Sequence, residues 1–184
     1  MGSKHIKRRV LNYEKPWIRK SPKPPKVRTL MGESFSAANY QGILKLQHCE
    51  ECDSVNYPPR ERCFNCLSDE LIWRETDPDG VILSTTELHH SQWEYFKRKI
   101  GQQPWAMASV LLAGQKLFVH LAMHTFEGGN EYKSLAELLP KGTSVKVFTQ
   151  SDVTYKSVLI AVSANTQIDT VAQRVRIVEK MGLR

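Results

Sequence analysis

From Val81 onward the chain alternates apolar and polar positions in short runs broken by turn residues. Val81–Leu88, Trp105–Leu112, Lys116–Met123, Ser144–Phe148 and Ser157–Val162 each read as β-strand, with side chains repeating every second residue. Between the third and fourth runs, Ser134–Leu139 has a helical pattern that stops at Pro140-Lys141-Gly142. Five strands with a short helix between the third and fourth predict an OB-fold, a partly open Greek-key barrel. Upstream, Leu44-Lys45-Leu46 (following Gly42) and Leu71-Ile72-Trp73 predict two further strands, and Asp77-Pro78-Asp79-Gly80 has turn chemistry. Residues 36–46 fit a short helix or turn leading into the first of these. Downstream, Ile168, Val171, Val175, Val178 and Met181 fall at near-helical spacing. Asp169 stands near the start and Arg174, Arg176 and Lys180 follow, an order that the helix dipole favours. Residues 175–178 are the part that also fits a strand. A helix beyond a complete barrel has to cover something, either its own barrel or a partner.

Ahead of the barrel, all four cysteines of the chain fall in two C-x-x-C pairs, Cys49/Cys52 and Cys63/Cys66, with ten residues between the pairs. Each pair can turn two thiolates toward one point, and two facing pairs close a tetrahedral four-sulfur site suited to Zn²⁺. Iron fits the same donor set. Four thiolates leave no open position for water, so the site reads as structural rather than catalytic. Disulfides are the competing use, but Met1–Lys20 is basic and lacks the apolar stretch of a signal peptide. No run approaches the ~20 apolar residues of a membrane helix. A soluble, cytoplasmic protein is expected. Tyr57-Pro58-Pro59 between the pairs restricts the backbone to extended forms as it crosses from one knuckle to the other. His48 beside Cys49 is expected outside the ligand set.

The formal net charge of +7 over 184 residues invites a nucleic-acid reading until it is located. Residues 1–38 hold ten Lys/Arg against Glu14 and Glu33, a net +8, and the remaining 16 basic and 17 acidic residues leave −1. The basic character belongs to the arm, not to the barrel, which weighs against a nucleic-acid-binding core. Residues 1–35 are proline-punctuated and expected to be extended or disordered on their own: a solvated tail, an arm that docks on a partner through Trp17, or a minor-groove or RNA arm. The loop 91–104 sets Trp93, Tyr95 and Phe96 beside Lys97, Arg98 and Lys99. Such aromatics stack bases, anchor a protein partner, or close one end of the barrel. His89, His90, His120 and His124 have no nucleophile or carboxylate at a recognisable motif spacing, and no phosphate-binding loop or nucleophile elbow occurs.

The run Cys49-x-x-Cys52, Tyr57-Pro58-Pro59-Arg60, Cys63-x-x-Cys66, Trp73 and Gly80 resembles a family of small acyl-CoA-associated proteins. In these a rubredoxin-like zinc ribbon precedes an OB-fold. Pro104-Trp105-Ala106 and Leu139-Pro140-Lys141-Gly142-Thr143 are similar to the family's barrel, and the likeness covers roughly residues 40–164. Asp53 and Leu67 stand where the family often has glycine after each knuckle, and Phe64 where it often has proline. The expected fold is mainly β: an arm (1–35), a lead-in and zinc ribbon (36–76), an OB-fold (77–164) and an amphipathic tail (165–184).

The resemblance implies an accessory subunit of thiolase or hydroxymethylglutaryl-CoA synthase-type complexes, without catalytic residues of its own. Zn²⁺ would sit on the four cysteines, and a thiolase-like large subunit would be the partner in a hetero-oligomer. Acyl-CoA would bind at or near the interface. Trp17, Arg60, Trp93, Tyr95, Phe96 and Trp105 are the candidate partner or CoA-channel contacts. An aromatic acyl-CoA pathway of the benzoylsuccinyl-CoA type is one setting. The alternative from another class is a single-stranded nucleic-acid-binding ribbon/OB protein.

Overall fold

The computed structural model describes residues 29–91, 97, 100, 104–151 and 156–183. Its elements run α1 (Leu30–Ala38), β1 (Lys45–Cys49), β2 (Val55–Asn56), β3 (Leu71–Glu75), β4 (Asp79–Leu88), β5 (Trp105–Leu112) and β6 (Gln115–Leu121). A 3-10 turn (Met123–Thr125), α2 (Leu135–Leu138), β7 (Ser144–Ser151), β8 (Ser157–Ser163) and α3 (Val171–Lys180) follow.

Strands β4-β5-β6-β8-β7 close into a barrel through a short β4–β7 ladder. The β6–β8 pairing is parallel and the other ladders of the barrel are antiparallel. With α2 placed between the third and fourth barrel strands, this is the expected OB-fold. Strand alternation decides which side chains fill it. Leu117, Val119 and Leu121 of β6, Val145 and Val147 of β7, and Leu159 and Ala161 of β8 point into one buried cluster. The opposite faces of β7 and β8 are apolar too: Phe148, Ile160 and Val162 are buried with Ile168, Ile177, Val178 and Leu183. Helix α3 therefore covers its own barrel, and that explains the unbroken apolar run in β8. Thr170 starts α3 with a capping box, its hydroxyl accepting from Gln173 N and the Gln173 side chain accepting from Thr170 N.

The second sheet, ordered β2-β1-β3, is the ribbon. It is not an independent body, because Phe35, Leu44 and Leu46 belong to the same buried cluster as the barrel interior, with Val55, Tyr57 and Trp73 packed on it. The Phe35 ring lies 6.2 Å from Tyr57 and 6.1 Å from Trp73.

Two sequence expectations change. Helix α1 begins at Leu30, inside the stretch expected to be extended or disordered through residue 35. Thr29 caps it by accepting from Gly32 N at 3.1 Å, and Phe35 supplies a buried anchor that composition alone conceals. The turn expected at Asp77–Gly80 shrinks, since Asp79 and Gly80 already pair with Lys146 and Val145 in the β4–β7 ladder. The Asp77 carboxylate accepts from Asp79 N at 3.0 Å, which sets the entry to the strand. A Cβ on Gly80 would lie 2.7 Å from Val110 Cγ1, so glycine is there for close approach rather than for turning. Among the described residues, no helix is long and apolar enough to cross a membrane.

Candidate metal centre

The two knuckles share one backbone pattern. In the first, Cys49 N donates to Ser54 O (3.0 Å) and Asp53 N donates to Cys49 O (2.9 Å). In the second, Cys63 N donates to Ser68 O (2.8 Å) and Leu67 N donates to Cys63 O (3.0 Å). Each hairpin turns through a left-handed residue, Asp53 at φ 55° and Leu67 at φ 64°. These are the positions where the resembled family often carries glycine, and the geometry gives the reason: only glycine adopts that conformation without steric cost. The peptide between Tyr57 and Pro58, on the crossing from one knuckle to the other, is cis.

The four sulfurs converge within 4.8 Å of one another. Cys49 and Cys66 are 3.5 Å apart and Cys52 and Cys63 are 3.6 Å apart. Metal–sulfur bonds of about 2.3 Å put the sulfurs of a tetrahedral site about 3.8 Å apart, so the spacing fits a thiolate-bound ion. All four cysteines are free of disulfides. Cys49 and Cys63 are buried, Cys52 is half-buried and Cys66 is exposed, so the centre sits at the edge of the ribbon.

Neighbours prepare the sulfurs for negative charge. Asn65 N lies 3.4 Å from Cys63 Sγ, and Asn56 Nδ2 lies 3.8 Å from it. Asn56 is itself locked, its carboxamide oxygen accepting from Phe64 N at 3.0 Å. Ser54 Oγ stands 3.2 Å from Cys52 Sγ and donates to it once the thiolate forms. Hydrogen bonds from the Ser54 hydroxyl and amide, then from the Asn65 side chain, hold Cys52 down at about 6. Cys63 is lowered, chiefly by the Cys66 amide. Cys66 accepts from the Ser68 amide, which lowers it, yet the adjoining Cys52, burial, Cys49 and Cys63 push it up to about 12. Crowded thiolates repel, and a cation at their centre removes that repulsion. The sequence signalled the four cysteines but not Ser54, Asn56 or Asn65, whose roles arise from where the knuckles face each other.

His48 on β1 stays outside the sulfur cluster. Burial, then Arg74, lowers its pKa, and its buried Nε2 has no hydrogen-bond partner among the described residues. Of the other candidate site residues, Arg60 lies on the inter-knuckle crossing with its side chain exposed. Its backbone is gripped at both ends by the Gln47 carboxamide, at 2.7 and 3.0 Å. Trp105 is packed beside the α3 cluster, and its indole N–H donates to His120 Nδ1 at 2.9 Å. Trp17, Trp93, Tyr95 and Phe96 lie outside the described residues. His89 and His90 are exposed, and His89 Nε2 is 3.6 Å from the Glu87 carboxylate.

Residues 37–71 match the family model of the ChsH2 rubredoxin-like zinc ribbon domain. That segment contains both knuckles. Among solved structures, a chain of the Ltp2-ChsH2(DUF35) aldolase superposes with a TM-score of 0.56 at 20% identity, over 77% of this chain and 99% of that one. A protein of unknown function from the DUF35 family of Sulfolobus solfataricus gives a TM-score of 0.42 at 16% identity, over 73% of this chain and 86% of that one. A search of curated proteins finds no match. The chain thus shares its overall fold with a chain of the Ltp2-ChsH2(DUF35) aldolase.

Proposed function

We propose that this chain is a non-catalytic, zinc-binding accessory subunit of an acyl-CoA-handling enzyme complex. The observation that carries the reading is the four-cysteine ribbon joined through one core to an OB barrel, similar in fold to a chain of the Ltp2-ChsH2(DUF35) aldolase. Cys49, Cys52, Cys63 and Cys66 hold the ion. Zinc is favoured over iron because residues 37–71 match a zinc ribbon family model and closed four-thiolate structural sites usually hold zinc, although iron fits the same donors. The ion would fix the ribbon, and the barrel would present surface to the partner and to the acyl-CoA.

The partner class rests on the sequence resemblance. An aldolase makes or breaks a carbon–carbon bond, and so does a thiolase, the partner type implied by the sequence resemblance. A thiolase-like large subunit supplies the nucleophile, while this chain holds the assembly and shapes the CoA channel. Arg60, Trp105 and the aromatics Trp17, Trp93, Tyr95 and Phe96 are the residues assigned to those contacts.

Co-expression of the full chain with a candidate thiolase-like large subunit, followed by size-exclusion chromatography with mass determination, tests the reading. A stoichiometric complex with carbon–carbon bond activity absent from either part alone is expected. A lone monomer that retains oligonucleotides would replace it with the nucleic-acid reading.

A further inference from the structure

The connector between α1 and β1 is held from three directions. Asn39, fully buried, donates from its carboxamide to Phe35 O and to Lys45 O (3.0 Å each) and accepts from Lys45 N at 2.7 Å. Its own carbonyl accepts from Thr149 Oγ1 of β7 at 3.3 Å. Two residues on, Gln41 O accepts from Arg174 Nη2 of α3 at 3.4 Å. The same guanidinium donates to Ile168 O at 2.6 Å and Asp169 O at 3.3 Å, at the entry to α3. Arg174 is only 7% exposed, and burial lowers its pKa. Gly42 lies directly beneath it: with φ +79°, a Cβ there would stand 2.9 Å from Arg174 Nε and 3.1 Å from Thr149 O.

At its other end the connector becomes β1. Lys45, gripped by Asn39, opens the strand that ends at Cys49, a sulfur of the metal centre. Leu44 and Leu46 are buried in the common core, so this short stretch has little freedom to move without its neighbours. A single run of ten residues or so therefore joins the sulfur cluster to the C-terminal helix, 125 positions away in sequence.

We propose that residues 39–45 act as a mechanical link through which metal binding and docking of α3 are reciprocally coupled. The proposal rests on the metal reading above. Loading the four cysteines fixes β1, which fixes the connector under Arg174 and holds α3 on the barrel. By linkage, anything that lifts α3 must weaken metal binding by the same factor. Because α3 covers the outer faces of β7 and β8, occupancy of the ribbon becomes legible on a remote surface.

The test uses the full chain. Amide hydrogen exchange is followed with Zn²⁺ bound and after its removal by a chelator, and Zn²⁺ affinity is measured by competition with a chromophoric chelator. On removal, exchange in α3 and in residues 39–44 should rise about 5-fold or more, the low end of ordinary coupling, while β5 and β6 stay protected. Gly42→Ala, which drives the connector off the clamp and touches no cysteine, should lower Zn²⁺ affinity by a similar factor. Arg174→Met keeps the buried volume but removes the carbonyl bonds, and should make α3 exchange indifferent to Zn²⁺. Stoichiometric Zn²⁺ with unchanged α3 exchange on removal overturns the link and leaves the metal centre standing. Uniform loosening of the whole chain overturns it as well, since no path is then singled out. A chain that takes up no Zn²⁺ removes the metal reading itself.

Discussion

The ribbon and the barrel solve the same problem by different means. The barrel buries side chains from every strand, with Ile82, Val110, Leu117, Val119, Val147 and Ala161 fully inaccessible in its interior. Apolar burial at roughly 25 cal/mol per Å² suffices for such a body. The ribbon has strands of five, two and five residues. Strands that short bury too little to hold their own sheet, and two of the ribbon's fully buried side chains are thiols, Cys49 and Cys63. There a metal on the four sulfurs would supplement the little core the ribbon shares with the barrel. The two regions should therefore fail differently, although they meet at Phe35.

The largest effect should come from the metal. Structural zinc contributes apparent free energies of about 10–16 kcal/mol at pH 7 in small zinc domains. Cys63→Ser, which removes a buried ligand, should abolish stoichiometric metal binding and collapse the ribbon's protection from hydrogen exchange. The β5–β6 hairpin should stay protected. Metal analysis of the wild-type chain sets the baseline, and less than half an equivalent of zinc or iron there would contradict the ribbon half of the contrast.

Next comes the shared core. Leu117→Ala empties space inside the barrel, and Phe35→Ala empties it where ribbon and barrel touch. Truncations of this kind cost about 2–5 kcal/mol. Leu117→Ala should lower the midpoint of denaturant unfolding for the whole chain. Phe35→Ala should split one transition into two, with ribbon signals lost first. A single unchanged transition for Phe35→Ala would mean that the aromatic cluster with Tyr57 and Trp73 does not join the regions energetically.

How much of this was legible in the sequence follows the same divide. Barrel strands announce themselves by alternation, and β5 matches its expected limits, Trp105–Leu112, to the residue. The cysteine spacing announced the cluster of sulfurs. What stayed hidden depends on contacts between distant positions. Thr29 and Phe35 start and anchor α1 within a basic, proline-rich context that masks them. Gly42 looked like the start of a strand, yet it sits in a left-handed turn where Arg174 and Thr149 O leave no room for a Cβ. Arg174 itself looked like a surface cation on an amphipathic helix, and only the fold shows it bonded to three carbonyls. No periodicity encodes a side chain to carbonyl bond across more than 130 positions.

Acid should expose a smaller difference. While the knuckle stays folded, hydrogen bonds from Ser54 hold Cys52 down at about 6 from an ordinary thiol value of 9.0. Between those values the folded form binds fewer protons than the unfolded one, so this contribution is complete above pH 9 and is lost as pH falls through about 6. Cys66 works in the opposite sense: raised to about 12, its contribution is complete below pH 9 and lost as pH climbs through 12. On the barrel side, burial and then Lys180 lower His124, whose buried Nε2 has no hydrogen-bond partner among the described residues. The unfolded chain protonates this histidine first, so stability is complete above pH 6.5 and declines as pH falls below it. If the knuckles keep their fold without metal, a thiolate absorbance titration should show one step well below the ordinary thiol range and one well above it, and collapse of the ribbon should return both to the ordinary range. His124→Gln should flatten the acid limb of barrel unfolding without moving either thiolate step.

The finest comparison uses left-handed residues, one in each region. Leu67 turns the second knuckle at φ 64° and is 68% exposed, so it carries conformational cost with little packing in return. Ala113 does the same at φ 48° in the β5–β6 hairpin, followed by Gly114 at φ 73°. Two consecutive positive φ values fit a type I′ turn, for which Asn-Gly is the favoured pair. Leu67→Gly and Ala113→Asn should each stabilise by roughly 0.5–1 kcal/mol, the usual scale of such relief. The two gains should appear in different places. Leu67→Gly should raise metal affinity, because the knuckle is then pre-bent, while leaving metal-free barrel stability unchanged. Ala113→Asn should raise the thermal midpoint of the barrel and leave metal affinity unchanged. Asp53→Gly in the first knuckle should gain less than Leu67→Gly, since aspartate tolerates the left-handed region better than leucine. It also gives up a pairing with Arg74 at 3.2 Å, though an exposed one worth little. If Leu67→Gly and Ala113→Asn instead shifted both quantities together, ribbon and barrel would be one energetic unit, and the difference between sulfur and apolar support would lie only in their composition.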